Sequence, residues 1–171
     1  PAEQVYREQG AAIRSGAPDT RFETLRALGA QFVYLELAPS EAAPDPGFAA
    51  RLEAARKAGL KVGLVYPFDL CMRADPQSAR FTRMVPRDAD LLPPALGLRI
   101  RRIPCTPPVS EAAVESELMT LINQIEMHAG RPVILKLGQD FERKYRVAGR
   151  IERDLWLIRD RAEPDYAGRP W

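Results

Sequence analysis

The stretch Leu91-Leu-Pro-Pro-Ala-Leu-Gly-Leu-Arg-Ile-Arg-Arg102 decides how the chain folds. Each proline fixes its own φ and restricts the residue before it, so the pair ends whatever precedes. Ala95, Leu96, Leu98 and Ile100 then form a short apolar run. Bounded by turn chemistry, such a run predicts a buried parallel strand, here over Leu92–Ile100. It leaves the core through Arg99, Arg101 and Arg102. Ligands of α/β proteins sit at the carboxyl ends of the strands. This strand therefore points glycine and arginine, not acids, at the expected site.

On either side the pattern alternates. Upstream, Val5 and Tyr6 read as a frayed first strand with Gln9-Gly10 as its turn. Thr20–Leu28 reads as a helix stopped by Gly29, and Gln31–Leu37 as a strand rich in Phe, Val, Tyr and Leu. Pro39–Pro44 is loop. Asp45-Pro46 places an oxygen at the N-cap and a proline at the first helical position, starting a helix over Gly47–Ala58 that stops at Gly59. Leu60–Phe68 is a strand, and Asp75-Pro76 repeats the start signal for a helix to Val85.

Downstream, Ile103–Pro108 is a proline-rich loop. Ser110 caps the clearest helix, whose Val114, Leu118, Leu121, Ile122 and Ile125 make one apolar stripe ending before Gly130. Pro132–Leu137 is a strand, Asp140–Tyr145 a short helix, Leu155–Ile158 a further strand, and Asp160–Trp171 irregular. About six strands and five helices with short turns mean a parallel sheet with right-handed crossovers. The residues alone leave an open doubly wound sheet and a barrel equally available. No glycine-rich phosphate loop is present.

Length and composition fit this reading. The chain of 171 residues predicts one domain, residues 1–171, with a substantial core. A net charge of +2 is too mild to indicate nucleic acid. No apolar run reaches the ~20 residues that span a bilayer. No signal-like segment is seen, and a start at Pro1 without Met reads as a processed or trimmed form. Cys71 and Cys105 form no C-x-x-C pair and His128 is the single histidine, which speaks against a metal site. The two cysteines are either buried thiols or one disulfide closing the loops after two neighbouring strands. No cofactor is expected.

The order of segments resembles family-25 glycoside hydrolases, the muramidase type of lysozyme. The resemblance rests on Gln9-Gly10, Gly29-Ala-Gln-Phe-Val-Tyr-Leu35, Asp45-x-x-Phe48 and Ala58-Gly-Leu-Lys-Val-Gly63 with Tyr66 and Phe68. It continues through Leu92-Pro-Pro-Ala-Leu96, Gly130-Arg-Pro-Val-Ile134, Leu155-Trp156 and Gly168-Arg-Pro-Trp171. It implies a modified β/α barrel with its site at the strand C-termini, cleavage after N-acetylmuramic acid in peptidoglycan, and a periplasmic or secreted location with any signal peptide removed. It also favours the disulfide. The family's last strand would follow Arg-Pro-Trp and so lie beyond Trp171.

The family's catalytic residues do not carry over. Its Asp-x-Glu after Leu-Pro-Pro-x-Leu falls on Gly97 and Arg99. Counted back from Gln9-Gly10, its first-strand Asp falls on Gln4 and the following Ser on Tyr6. The His after the third-strand Tyr is Pro67, and Lys-Ala-Thr-Glu-Gly has become Glu36-Leu-Ala-Pro-Ser40. Tyr66 alone survives among the site-lining residues. Glycoside hydrolysis needs a carboxyl proton donor and a carboxylate near the oxocarbenium charge. Gly97 offers neither, and Arg99 stays a cation at any working pH.

Glu36 and Asp69 are the acids near the expected mouth. A partly buried guanidinium needs a counter-charge, so pairing of Glu36 with Arg99 is preferred to a catalytic Glu36. Asp69 either pairs with an arginine or is solvated. Arg99, Arg101 and Arg102 read as an anion site for a peptide-stem carboxylate or phosphate, or more plainly as charge balance and solvated surface. Tyr66, Tyr34, Phe68 and Trp156 are candidate sugar platforms or simply core. His128 is expected to face solvent near a helix C-terminus.

Three functions follow. The first is a pseudoenzyme that binds cell-wall glycan or a protein covering the open barrel edge. The second is a structural subunit of a larger assembly, and the third a peptidoglycan hydrolase with relocated carboxylates at Glu36 and Asp69.

Overall fold

A computed structural model describes residues 8–17, 19–38, 45, 47–158 and 164–171. They form two compact units. The first holds the described residues up to Val65 with Asp88–Leu92, and the second holds Tyr66–Arg87 and the described residues from Pro93 to Trp171.

In the first unit, β1 (Gly10–Ile13) pairs in parallel with β2 (Phe32–Glu36), which pairs in parallel with β3 (Lys61–Pro67). The last two residues of β3 belong to the second unit. Helices α1 (Phe22–Ala27) and α2 (Phe48–Lys57) form the crossovers. Phe32 and Tyr34 explain two glycines. A Cβ on Gly10 would lie 2.1 Å from the Phe32 ring, and one on Gly63 would lie 2.3 Å from the Tyr34 ring. Each ring therefore lies flat on the neighbouring strand where only glycine leaves room.

This corrects the reading of the first strand. Gln9-Gly10 is not a turn after it; Gly10 begins β1 and pairs with Phe32, while the Gln31 N–H donates to the Gln9 carbonyl. The expected strand residues Val5 and Tyr6, and Gln4 with them, lie outside the described residues.

The second unit contains α3 (Ala74–Met84), β4 (Ala95–Leu98), α4 (Glu111–Ala129), β5 (Ile134–Leu137), α5 (Gln139–Tyr145) and β6 (Asp154–Leu157). Strands β4, β5 and β6 are parallel and adjacent in that order. Leu96, Leu98, Leu135, Leu137, Leu155 and Leu157 alternate onto one face, and all six are buried. Helix α4 follows its sequence signals: the Ser110 hydroxyl accepts from the Ala113 N–H, the stripe from Val114 to Ile125 is buried, and Gly130 closes the helix at φ 71°.

Other boundaries moved for identifiable reasons. β4 is shorter than Leu92–Ile100 at both ends; at its start Pro93 and Pro94 have no N–H to donate to the ladder, although the Pro94 carbonyl accepts from the Ile134 N–H. α2 starts at Phe48 with Gly47 at its N-cap, since the Asp45 carboxylate is held by Arg51 instead of capping. α3 starts at Ala74, one residue before Asp75. Its first N–H is capped from α4, where the Glu117 carboxylate accepts from Ala74 at 2.6 Å. The Asp75 carboxylate accepts from Gln124 on α4, so both acids tie α3 to α4.

His128 also ties these helices and does not simply face solvent. It is half-buried, its Nε2 donates to the Val85 carbonyl at 2.8 Å, and its Nδ1 accepts from Arg87 at 3.3 Å. A carbonyl can only accept, so these bonds select the neutral Nε2–H tautomer. The carbonyls exposed at the end of α3 draw the ring inward against Phe81, 5.8 Å away.

Candidate functional site

The face of the β4–β6 ladder opposite the leucines is chemically different. Gly97, Lys136 and Trp156 are direct cross-strand partners. Lys136 is only 8% exposed, and its ammonium lies 4.3 Å from the centre of the Trp156 ring. Glycine on one side and a broad aromatic on the other give the lysine stem a shelf along the strand. At that distance the ring face attracts the ammonium and offsets part of its desolvation.

Lys136 is absent from the candidates drawn from the sequence. Its signal is a lone lysine in Val133-Ile-Leu-Lys-Leu137, an otherwise apolar run. A lysine inside a buried strand needs a reason, and the run alone offered none.

Beyond β4 the cations continue. Arg99 is exposed, and its Cγ lies 3.7 Å from where a Cβ on Gly138 would sit. Gly138 donates its N–H to the Leu98 carbonyl, so β5 exits closely alongside β4. The Arg101 Nη1 bonds both Asp69 oxygens, at 2.9 and 3.1 Å. Asp69 also accepts from the Cys71 N–H. Of the two roles read for Asp69, the structure has the arginine pair. Arg102 is exposed.

The loop carrying Asp69 is fixed twice. Cys71 and Cys105 form a disulfide that joins it to the loop after β4. Gln77, 1% exposed, accepts from the Asp69 N–H at 2.8 Å and donates to the carbonyls of Asp69, Met72 and Arg73. One buried amide thus satisfies a turn of irregular backbone that burial would otherwise penalise.

The aromatics divide. Trp156 is half-buried beside Lys136. Tyr66 is 2% exposed and meets Phe81 of α3 edge-on, with the Arg80 guanidinium 5.9 Å from its ring centre. Phe68 is buried and donates its N–H to the Gly97 carbonyl. Pro67 ends β3. In the first unit Tyr34 is buried over Gly63, and Glu36 ends β2 half-buried, two residues on and therefore on the same face. β1 reads Gly-Ala-Ala-Ile and carries no carboxylate.

In the second unit, then, Lys136 lies between Gly97 and Trp156, and Arg99 and Arg101 follow the end of β4. Asp154, on the Lys136 face, sits at the opposite, starting end of β6. Glu142 is buried and accepts from the Ala148 N–H in the turn that follows α5. Glu126 is engaged elsewhere by Nε and Nη2 of Arg153 and by the Val133 N–H. Burial alone would raise its pKa, but these donors outweigh it and hold the carboxyl below its usual range. Among the described residues no cluster of His, Cys, Asp and Glu could hold a metal ion. No helix among them is long and apolar enough to cross a membrane.

The model of glycosyl hydrolases family 25 matches residues 13–168. Among solved structures, a family 25 glycosyl hydrolase from Bacillus anthracis superposes with a TM-score of 0.88 at 24% identity, over 98% of this chain and 77% of that one. The lysozyme from Streptomyces coelicolor gives 0.81 at 16% identity, over 95% and 80% of the two chains. A muramidase from Acremonium alcalophilum gives 0.75 at 18%, over 88% and 76%. No curated protein matches the sequence. At such identities the likeness to these structures is one of fold.

Proposed function

The chain belongs to glycosyl hydrolase family 25, and we propose that it binds cell-wall glycan without cleaving it, as one family-25 domain over residues 1–171. The observation that carries this reading is the row Gly97–Lys136–Trp156 with Arg99 at its exit. Hydrolysis of a glycoside builds positive charge on the sugar and needs a carboxyl to protonate the leaving oxygen. Lys136 and Arg99 bring cations to that end of the ladder, and a cation there opposes an oxocarbenium ion. The Asp69 carboxylate is already engaged by Arg101, which accepts no proton and bonds both of its oxygens.

Binding survives the change that removes catalysis. Trp156 offers a ring face for a sugar, and Lys136 beside it offers a charge for a carboxylate-bearing one. The Cys71–Cys105 disulfide favours an oxidising compartment, so the protein works in the periplasm or outside the cell.

Incubation with purified peptidoglycan, measuring pelleting and released reducing ends together, tests the reading. Pelleting without release is expected. Release that Glu36→Gln abolishes would establish a hydrolase with relocated acids instead. Neither pelleting nor release, with a large stable oligomer by light scattering, would make the chain an assembly subunit.

A further inference from the structure

A second candidate site lies in the second unit, in a pocket of about 340 Å³ beside the loop that follows β4. Its walls are mainly apolar. Ile100 and Ile103 contribute to it while 39% and 72% exposed, and Pro104 and Val109 add further apolar surface. Two isoleucines left in water on one loop, lining one concavity, are surface that a ligand would cover favourably. The loop is also constrained. Cys105 in the wall is tied to Cys71, and Pro104 and Pro108 each fix a backbone torsion. A wall already held in shape costs little ordering when something binds.

The charged groups that line the pocket are Arg101 and Lys144, both positive. Asp69 engages Arg101 through Nη1 alone among the described residues, which leaves the Nε and Nη2 edge of the guanidinium for another acceptor. The Lys144 ammonium stands 5.3 Å from the centre of the Tyr145 ring, and Tyr145 is a lining residue too. An apolar hollow of this size with two cations and no acid among the described lining residues matches one ligand chemistry: an apolar side chain close to a carboxylate.

We propose that this pocket binds the carboxyl terminus of a short peptide whose last side chain is apolar. The carboxylate pairs with Arg101 and Lys144, and the side chain packs on Ile100 and Ile103. The proposal does not depend on glycan binding at the Gly97–Lys136–Trp156 row, because it uses different residues and a ligand without sugar.

The test is a titration of the full chain with N-acetyl-Ala-Leu carrying a free carboxylate, followed by calorimetry or by amide chemical shifts. Saturable binding is expected, weakened at least about tenfold when the carboxylate is replaced by its amide. N-acetyl-Ala-Ser should bind several-fold more weakly than N-acetyl-Ala-Leu, and Ile103→Ser should reduce the affinity for N-acetyl-Ala-Leu similarly. Arg101→Gln should lower affinity about tenfold. Because that variant also releases Asp69, Lys144→Gln and the acid–amide comparison on the unaltered chain decide the matter if Arg101→Gln misfolds. Equal binding of acid and amide, stronger binding of inorganic phosphate than of the peptide, or no saturation by ~10 mM would each overturn the proposal.

Discussion

The two faces of the β4–β6 ladder come from the same twelve backbone positions and have opposite characters. One carries six buried leucines. The other carries Gly97, Lys136 and Trp156 in a row. Strand alternation places them there, and nothing in the hydrogen-bonded ladder distinguishes the two. The leucine face concerns stability alone. The lysine face accepts a desolvated ammonium, which costs stability unless the charge is compensated.

The contrast can be broken most forcefully from the leucine side. Leu98→Ala removes buried methyl groups next to the β4 exit and should cost about 2–5 kcal/mol by urea unfolding. Loss of the link between the loops after β3 and β4 comes next. Cys71→Ser with Cys105→Ser frees a segment of 34 residues in the unfolded chain and should cost about 2–4 kcal/mol.

From the other face, Lys136→Met keeps length and volume while removing the charge. The protein should still unfold cooperatively in thermal unfolding, whereas pelleting with peptidoglycan should fall sharply. A large destabilisation with unchanged pelleting would make Lys136 a core residue like the leucines.

The smallest effect concerns Glu126, away from both faces. Its folded pKa is lowered, so it stabilises the protein above its unfolded pKa, and that contribution is lost as pH falls through the folded value. Glu126→Gln should therefore flatten the acid limb of a stability–pH profile below the usual carboxylate range. At neutral pH it should lower stability, because the bidentate Arg153 contact weakens.

Much of the fold was legible in the residues. The stripe on α4 and the caps at Ser110 and Gly130 are local signals, each contained within a few residues, and they landed where expected. The alternation of strand and helix fixed a parallel α/β arrangement for the same reason. The α3 N-terminus was displaced because its cap comes from Glu117, 43 positions away. The first strand moved because Gly10, in shape a turn residue, is used instead to admit the Phe32 ring. His128 turned inward because the end of α3 brings the Val85 carbonyl to it.

The candidate site divides in the same way. Gly97 and Arg99 stood out because a strand bounded by two prolines has an identifiable exit, and the residues there can be weighed against the chemistry of glycoside cleavage. That judgement needs only residue types, since neither glycine nor arginine can act as a carboxylic acid in any geometry. Asp69 was visible as an acid, but its pairing with Arg101 and its place in the Gln77-stapled loop were not. Lys136 was invisible because one polar residue in a five-residue apolar run barely disturbs its periodicity. Only the parallel register sets Lys136 between Gly97 and Trp156, the row on which the proposed binding rests. The sequence alone determined which side chains are available at each strand end. The tertiary structure decided which of them meet, because contacts between residues tens of positions apart depend on strand register and packing that no local pattern encodes.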